Sequence, residues 1–227
     1  MKKVLLGLIV LTALATSCKK EKSTEPNLPG SGADGGGNFQ PKSKNSYWKY
    51  KTTGSLNYEA TNTSTGQART VNGITGIVYT STSTAQAGTT EGVFGIKDHN
   101  YYMIQKGDLP NSGATFDLSF LYLNDTASIG YAWRHDAGQA NGIQAIFEGR
   151  IVEKGITVTV EGKTFKDVIH SEVELLYNMP GFGEVSFTIY DFYVAKNVGI
   201  VQIITTGDPL LMQGLKTSTN LIDYHIK

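Results

Sequence analysis

From position 45 onward the chain repeats one pattern: short runs in which apolar and polar residues alternate, rich in Val, Ile, Thr, Tyr and Phe, each closed by Gly, Asn, Asp or Pro. A period of two marks a strand with one face turned inward, because successive side chains leave a strand on opposite sides. The pattern predicts strands over 47–53, 74–84, 90–97, 101–106, 116–123, 129–135, 143–153, 156–161, 166–177, 184–196, 200–206 and 221–226. Turn-forming residues fall between many of them, as at Asp98-His99-Asn100, Lys154-Gly155, Glu161-Gly162-Lys163, Met179-Pro180-Gly181 and Lys196-Asn197-Val198-Gly199. No stretch here sustains a 3.6-residue apolar period. Only Asp208-Pro209 could open a helix, with Asp as N-cap and Pro at the first helical place, and Gly214 would soon close it.

Connections this short exclude parallel pairing, which needs long crossovers. Sheets beyond about ten strands curl or split into layers. The expected fold is all-β: a strongly curved antiparallel meander, a half-barrel or a sandwich, with little helix. The run 184–196 is unusual in being apolar on both faces. Alternation sets Val185, Phe187, Ile189 and Tyr193 on one side and Tyr190, Phe192 and Val194 on the other. Such a strand lies between two packed layers or beside an apolar cavity.

The first residues follow another pattern. Lys2 and Lys3 precede an apolar run, 4–15, broken only by Gly7 and Thr12. This run is shorter than the roughly 20 residues that cross a bilayer core, and it suits the h-region of a secretory signal. It leads to Leu14-Ala15-Thr16-Ser17-Cys18, which resembles the lipobox of bacterial lipoproteins in the loose form, with Ser before Cys, found in Bacteroidota. The resemblance implies a signal peptide over 1–17, cut before Cys18, and a diacylated Cys18 as lipid anchor. Two acyl chains hold a protein to a membrane durably, since each buried CH₂ contributes about 0.8 kcal/mol. Residues 19–44 read as a flexible tether, with mixed charges around Lys19–Glu25, then Pro26, Pro29 and a glycine-rich run over 30–37. A single β domain is expected over 45–227.

Three further stretches carry a family resemblance. They are Gly162-Lys163-Thr164-Phe165-Lys166-Asp167-Val168, then Tyr193-Val194-Ala195-Lys196-Asn197-Val198-Gly199-Ile200-Val201, and the last strand around Leu221-Ile222-Asp223-Tyr224. Together with Tyr47-Trp48-Lys49-Tyr50 they resemble uncharacterised Bacteroidota envelope lipoproteins with a C-terminal curved β-sheet, distantly like lipoprotein-carrier half-barrels. The resemblance covers roughly 45–53 and 143–226. It implies a cell-envelope location, lipid-anchored and at the outer membrane, with the exposed side of that membrane left open. It implies no activity, because its motifs are turn and core residues.

Charge narrows the classes of partner. The chain has 20 Lys+Arg against 20 Asp+Glu, and from Asn45 onward 13 against 17. A neutral to mildly acidic domain without a basic stripe argues against nucleic acid, whose binding rests on neutralising phosphates. Cys18 is the sole cysteine, so an internal disulfide and a multi-thiolate zinc site are excluded. His99, His135, His170 and His225 show no metal-ligand spacing. No cofactor and no metal is therefore expected.

The remaining candidates are weaker. His170, Glu172 and Glu174 share one strand face at about 7 Å intervals, near the carboxylate spacing of glycosidases. They lie side by side, however, and not opposed across a substrate, and read as a solvent face. Tyr131, Trp133 and His135 share another face, as an aromatic platform for sugar rings if exposed and as core if buried. Asp125-Thr126-Ala127 fits a short Bacteroidota O-glycosylation pattern, with Thr126 as acceptor. The expected function is a non-catalytic, membrane-anchored β domain that binds or scaffolds. Its candidate ligand contacts are Tyr131, Trp133, Tyr190 and Phe192, with a lipid or other apolar ligand in the curved sheet. The alternatives are a surface glycan- or protein-binding module and, last, a glycan-active hydrolase. Oligomeric state is not encoded in these patterns.

Overall fold

In the computed structural model, which describes residues 38–108 and 115–227, the alternating runs form twelve strands. These are β1 (Tyr47–Gly54), β2 (Tyr58–Val71), β3 (Ile74–Ser83), β4 (Thr89–Lys97), β5 (Asn100–Asp108), β6 (Thr115–Asn124), β7 (Ala132–Ala140), β8 (Ile143–Val160), β9 (Lys163–Met179), β10 (Gly183–Ala195), β11 (Gly199–Gly207) and β12 (Lys216–His225). Each pairs antiparallel with the next in sequence. β1 also pairs with β12, Tyr47 lying opposite both Thr63 and His225, so the meander closes into a barrel. The all-β antiparallel class is as expected, and the curvature expected of a half-barrel runs on to closure. Closure pairs the sheet edges except where β6 and β7 part beyond Leu118.

Three assignments change. β2 lies where no strand was expected: its sequence, Tyr-Glu-Ala-Thr-Asn-Thr-Ser-Thr-Gly-Gln-Ala-Arg-Thr-Val, has no apolar alternation, and only Ser64 in it is fully buried. Runs 143–153 and 156–161 are one long strand, β8, bent by irregularities between Ile151 and Val158. The run expected at 129–135 is shifted to β7. Asp208 caps one turn and not a helix: its carboxylate accepts from the amides of Leu210 and Leu211, and its carbonyl from Met212, before Gly214 turns the chain at φ 67°.

Two-residue turns hold the register of several hairpins. Asn72-Gly73 and Glu161-Gly162 both have two successive positive φ angles, the geometry whose twist matches paired strands. β6 and β7 pair only at Phe116–Leu118 against Gly138–Ala140. Beyond that seam β6 leans across the interior, where Ser171 of β9 donates to the Tyr122 carbonyl at 2.6 Å and Phe120 meets Phe147 at 3.9 Å between centroids. The barrel is therefore pinched along β6, β8 and β9.

One end is filled by the segment that precedes β1. Phe39, Gln40 and Pro41 are buried. Phe39 packs edge-on to Tyr101 at 6.2 Å. The Gln40 amide donates to the Tyr79 hydroxyl at 3.1 Å and accepts from Tyr122 at 3.4 Å, while Tyr79 donates to the Pro41 carbonyl. Asn197 ties the segment down through the Asn38 carbonyl at 2.6 Å. The domain thus begins at or before Asn38 and not at Asn45: composition placed Phe39–Pro41 in the tether, but these residues belong to the core. The signal 1–17, Cys18 and the tether up to position 37 lie outside the described residues.

A second core seals the same end. The long β8–β9 hairpin buries Ile156, Val160, Phe165 and Val168 with Trp48, Val201 and Leu221. It is held to β12 where Asn220 donates to Glu161 and Lys163 donates to the Ile222 carbonyl. The Trp48 indole donates to the Val198 carbonyl at 2.6 Å, which satisfies its one polar atom. Opposite the lumen face of β3–β6, a satellite cluster buries Ile74, Val78, Val93, Tyr102, Ile104 and Leu121.

Candidate functional site

At the other end of the barrel the side chains stop short of filling it. A cavity of about 400 Å³ lies inside, bounded by β1, β2, β4–β6 and β10–β12. Alternation explains its lining, since each strand gives every second residue. β4, β5 and β6 contribute Phe94, Met103 and Phe120, which stand side by side in register. β10 contributes Tyr190 and Phe192, at 5.2 Å and 5.3 Å from the Phe120 ring. β11, β12 and β1 contribute Ile203 and a set of threonines, Thr52, Thr205, Thr217 and Thr219. The cavity opens toward Leu56, Gln105 and Leu215, at the end opposite the Phe39 plug. Around that mouth, Leu56, Phe182, Leu210 and Leu211 stand exposed on three hairpins that are neighbours in the barrel order.

The electrostatics of this lumen are those of a neutral site. None of its lining side chains is an acid, a lysine, an arginine or a histidine. Burial pushes the phenols of Tyr50 and Tyr190 above their ordinary range, so both stay protonated. Tyr50 donates to the Ile200 carbonyl at 2.9 Å. Apolar contact dominates, with hydroxyls as the polar element, the usual make-up of a small-molecule pocket.

The four expected ligand contacts separate into two places. Tyr190 and Phe192 line the lumen. Phe192 is fully buried, covered by Phe120 and by Tyr122 at 5.5 Å, whereas Tyr190 is only partly covered. Tyr131 and Trp133 lie on the outside. Tyr131 is exposed and stacks on Trp133 at 6.2 Å. Trp133 is no open platform: its ring lies flat on Gly149, where a Cβ would come within 2.3 Å of it, and its Nε1 is buried without a partner. A glycine at 149 is what lets the indole tuck down. His135 is turned in beside Tyr102 at 5.5 Å, and burial lowers its pKa below the ordinary value.

Two of the three residues of the β9 face, His170 and Glu172, are tied up in pairs. Glu172 takes both hydrogen bonds of Arg150, at 3.0 and 3.2 Å. His170 bonds Asp191 at 2.9 Å and stacks on Tyr193 at 4.4 Å, so it is covered and not on an open face. Arg134 bridges Glu148 and Glu184. The arginine pairs and Trp133 border an open groove of about 500 Å³ on the barrel exterior. Glu174 lines it as well, opposite Glu148 in the β8–β9 register, so its acids stand on adjoining strands of one sheet surface. Among the described residues no cluster of three His, Cys, Asp or Glu could hold a metal. Thr126 is exposed, its hydroxyl on Asn124 at 3.1 Å, while the neighbouring Asp125 is buried under bonds from Tyr101 and His99, both at 3.1 Å.

The strand β10 needs one correction. An irregularity between Ser186 and Thr188 breaks its alternation. Phe187 therefore packs inward, edge-on to Tyr177 at 5.1 Å, and does not share a face with Ile189 and Tyr193. Inward and outward sets remain, but the inner one is the richer: Phe187, Tyr190, Phe192 and Val194. The residues that sequence reasoning missed are Phe94, Met103, Phe120 and the threonines. Their signal was present as inward positions of strands, but which strands face one another is a matter of closure.

No protein-family profile and no curated protein matches the chain. Two solved structures resemble it. One is a candidate lipoprotein of Parabacteroides distasonis, with a TM-score of 0.54 at 13% identity, over 82% of this chain and 98% of that one. The other is a candidate exported protein of Bacteroides fragilis with a YmcC-like fold, with a TM-score of 0.50 at 13% identity, over 82% of this chain and 97% of that one. At this identity the likeness is one of fold, so what the chain shares with these two proteins is the architecture of its β domain.

Proposed function

We propose that the chain is a non-catalytic envelope lipoprotein, anchored through an acylated Cys18, whose barrel holds an apolar ligand in its lumen. The observation that carries this reading is the lumen itself: about 400 Å³ walled by Phe94, Met103, Phe120, Tyr190 and Ile203 and open at one end. The leader sequence and the names of the two fold relatives support the envelope location. The paired state of Glu172 and His170 speaks for a structural role of that face and against a glycosidase.

The test is native mass spectrometry of the purified full chain, looking for co-purifying lipid. Ile203→Trp, which fills the lumen from a half-buried position, should fold and lose the bound species. A chain that never carries lipid, and takes up none when mixed with it, contradicts the reading. A second reading, a glycan-binding surface module, rests on the exposed Tyr131 stacked beside the outer groove. It predicts that Tyr131→Ala abolishes retention on a glycan column while Ile203→Trp does not.

A further inference from the structure

The lining of the lumen differs from one side to the other. One wall is aromatic, with Phe94, Phe120, Tyr190 and Phe192 from β4, β6 and β10, and the Asn62 amide stands at the deep end, on β2 opposite Trp48. Beyond Tyr50 and Ile200, the wall of β11, β12 and β1 carries hydroxyls. Strand register sets them in a collar, with Thr219 opposite both Thr52 and Ile203, and Thr205 opposite Thr217. The Thr52 and Thr219 hydroxyls bond each other at 2.8 Å. Those of Thr205 and Thr217 have no hydrogen-bond partner among the described residues, and both residues line the cavity. Gln105 adds an amide at the same level, two residues along β5 from Met103.

This division narrows the ligand, given the reading of the lumen as an apolar site. A carboxylate or ammonium inside would find no opposite charge among the lining residues, and a charge taken out of water without a partner is strongly unfavourable. A pure hydrocarbon would leave the collar hydroxyls facing it unpaired, which costs their desolvation. Two acyl chains exceed a space at the low end of the roughly 300–1,000 Å³ of small-molecule pockets. We propose that the lumen takes an uncharged single-chain amphiphile. Its acyl chain rests on the aromatic wall, and its hydroxyl- or ester-bearing head stands at the threonine collar, by Thr205 and Thr217.

Displacement of N-phenyl-1-naphthylamine from the full chain tests this, with 1-monolauroylglycerol, laurate and dodecane as competitors below their aggregation limits. The monoacylglycerol should displace the dye at the lowest concentration. Thr205→Val and Thr217→Val keep the side-chain shape and should each weaken it by about three- to tenfold, the value of one or two hydrogen bonds, while dodecane competes better than before, because an unpaired hydroxyl no longer faces it. Equal competition by all three ligands, or variants that leave the monoacylglycerol unchanged, would overturn the proposal and leave the apolar site standing. Laurate as the strongest competitor would overturn it as well. A dye that does not bind the lumen, shown by an unchanged signal with Ile203→Trp, would instead remove the apolar-site reading on which the proposal rests.

Discussion

The two ends of the barrel are made by the same twelve strands and the same alternation, yet one is filled and the other is open. At the filled end the inward positions hold the largest side chains, Trp48, Tyr79, Tyr101 and Tyr122, and the chain adds Phe39–Pro41 from outside the sheet. Every hydroxyl there meets a partner, through Gln40, Pro41 or Asp125. At the open end the inward positions of β11, β12 and β1 shrink to threonine, and no segment among the described residues enters. The difference teaches that the space is a property of side-chain choice, not of strand number. The fold can close a barrel end when the sequence supplies a plug, and at the mouth it does not.

That contrast can be broken by mutation. Trp48→Ala should cost about 3–5 kcal/mol, because it removes a large, fully buried ring and leaves a cavity no neighbour can fill. Ile203→Ala, at a half-buried position facing the lumen, should cost only about 1–2 kcal/mol. Urea unfolding measures both, and equal losses would mean that the open end is packed as tightly as the filled one.

The plug gives the next largest effect. Cutting the chain after Pro41 removes Phe39 and leaves Tyr79 and Tyr122 without Gln40. Loss of a buried ring and of partners to buried hydroxyls should cost about 2–4 kcal/mol, a fall in Tm of about 5–15 °C for a domain of this size. A cut after position 37 should leave Tm in place. An unchanged Tm after the longer cut would return Phe39–Pro41 to the tether.

Alkali provides the smallest and most specific distinction. Burial pushes the Tyr79 phenol up from 10.0 to about 12. The unfolded chain then loses this proton near pH 10 while the folded one keeps it, so stability is full below pH 10 and declines as pH rises toward 12. The decline is on the order of 2 kcal/mol for this group. Tyr79→Phe should make the slope between pH 10 and 12 shallower by the share of one proton in urea titrations, the other buried phenols such as Tyr50 and Tyr190 keeping theirs. A slope identical in the variant would show that Tyr79 titrates normally in the fold.

Much of this architecture was legible in the residues. The alternating runs gave eleven of the strands in place or nearly so, and short turns forced antiparallel pairing. β2 was hidden because its threonines and polar residues lie half-exposed on both faces, leaving no apolar contrast to read. Asn72-Gly73 was the overlooked signal: a two-residue hairpin turn before Ile74 demands a partner strand ahead of it. Tyr190 and Phe192 were recognisable as unusual because they sit on a strand apolar on both sides. Phe94, Phe120 and the threonine collar were not, since a lumen is created by which strands face each other, and that follows only from the β1–β12 closure. Phe39 looked like linker because its neighbours are glycines and lysines; a lone aromatic between flexible residues is the trace such a plug leaves.

Methyl NMR during a ligand titration puts the central contrast to the most direct test. With Met and Ile methyls labelled in the full chain, addition of 1-monolauroylglycerol should shift Met103 and Ile203 at the open end. Ile156, packed in the second core at the filled end, should stay where it is. Shifts confined to surface methyls such as Ile129, or no shift at any lumen methyl at saturating lipid, would contradict the account and show that the open end of this barrel is not a binding site.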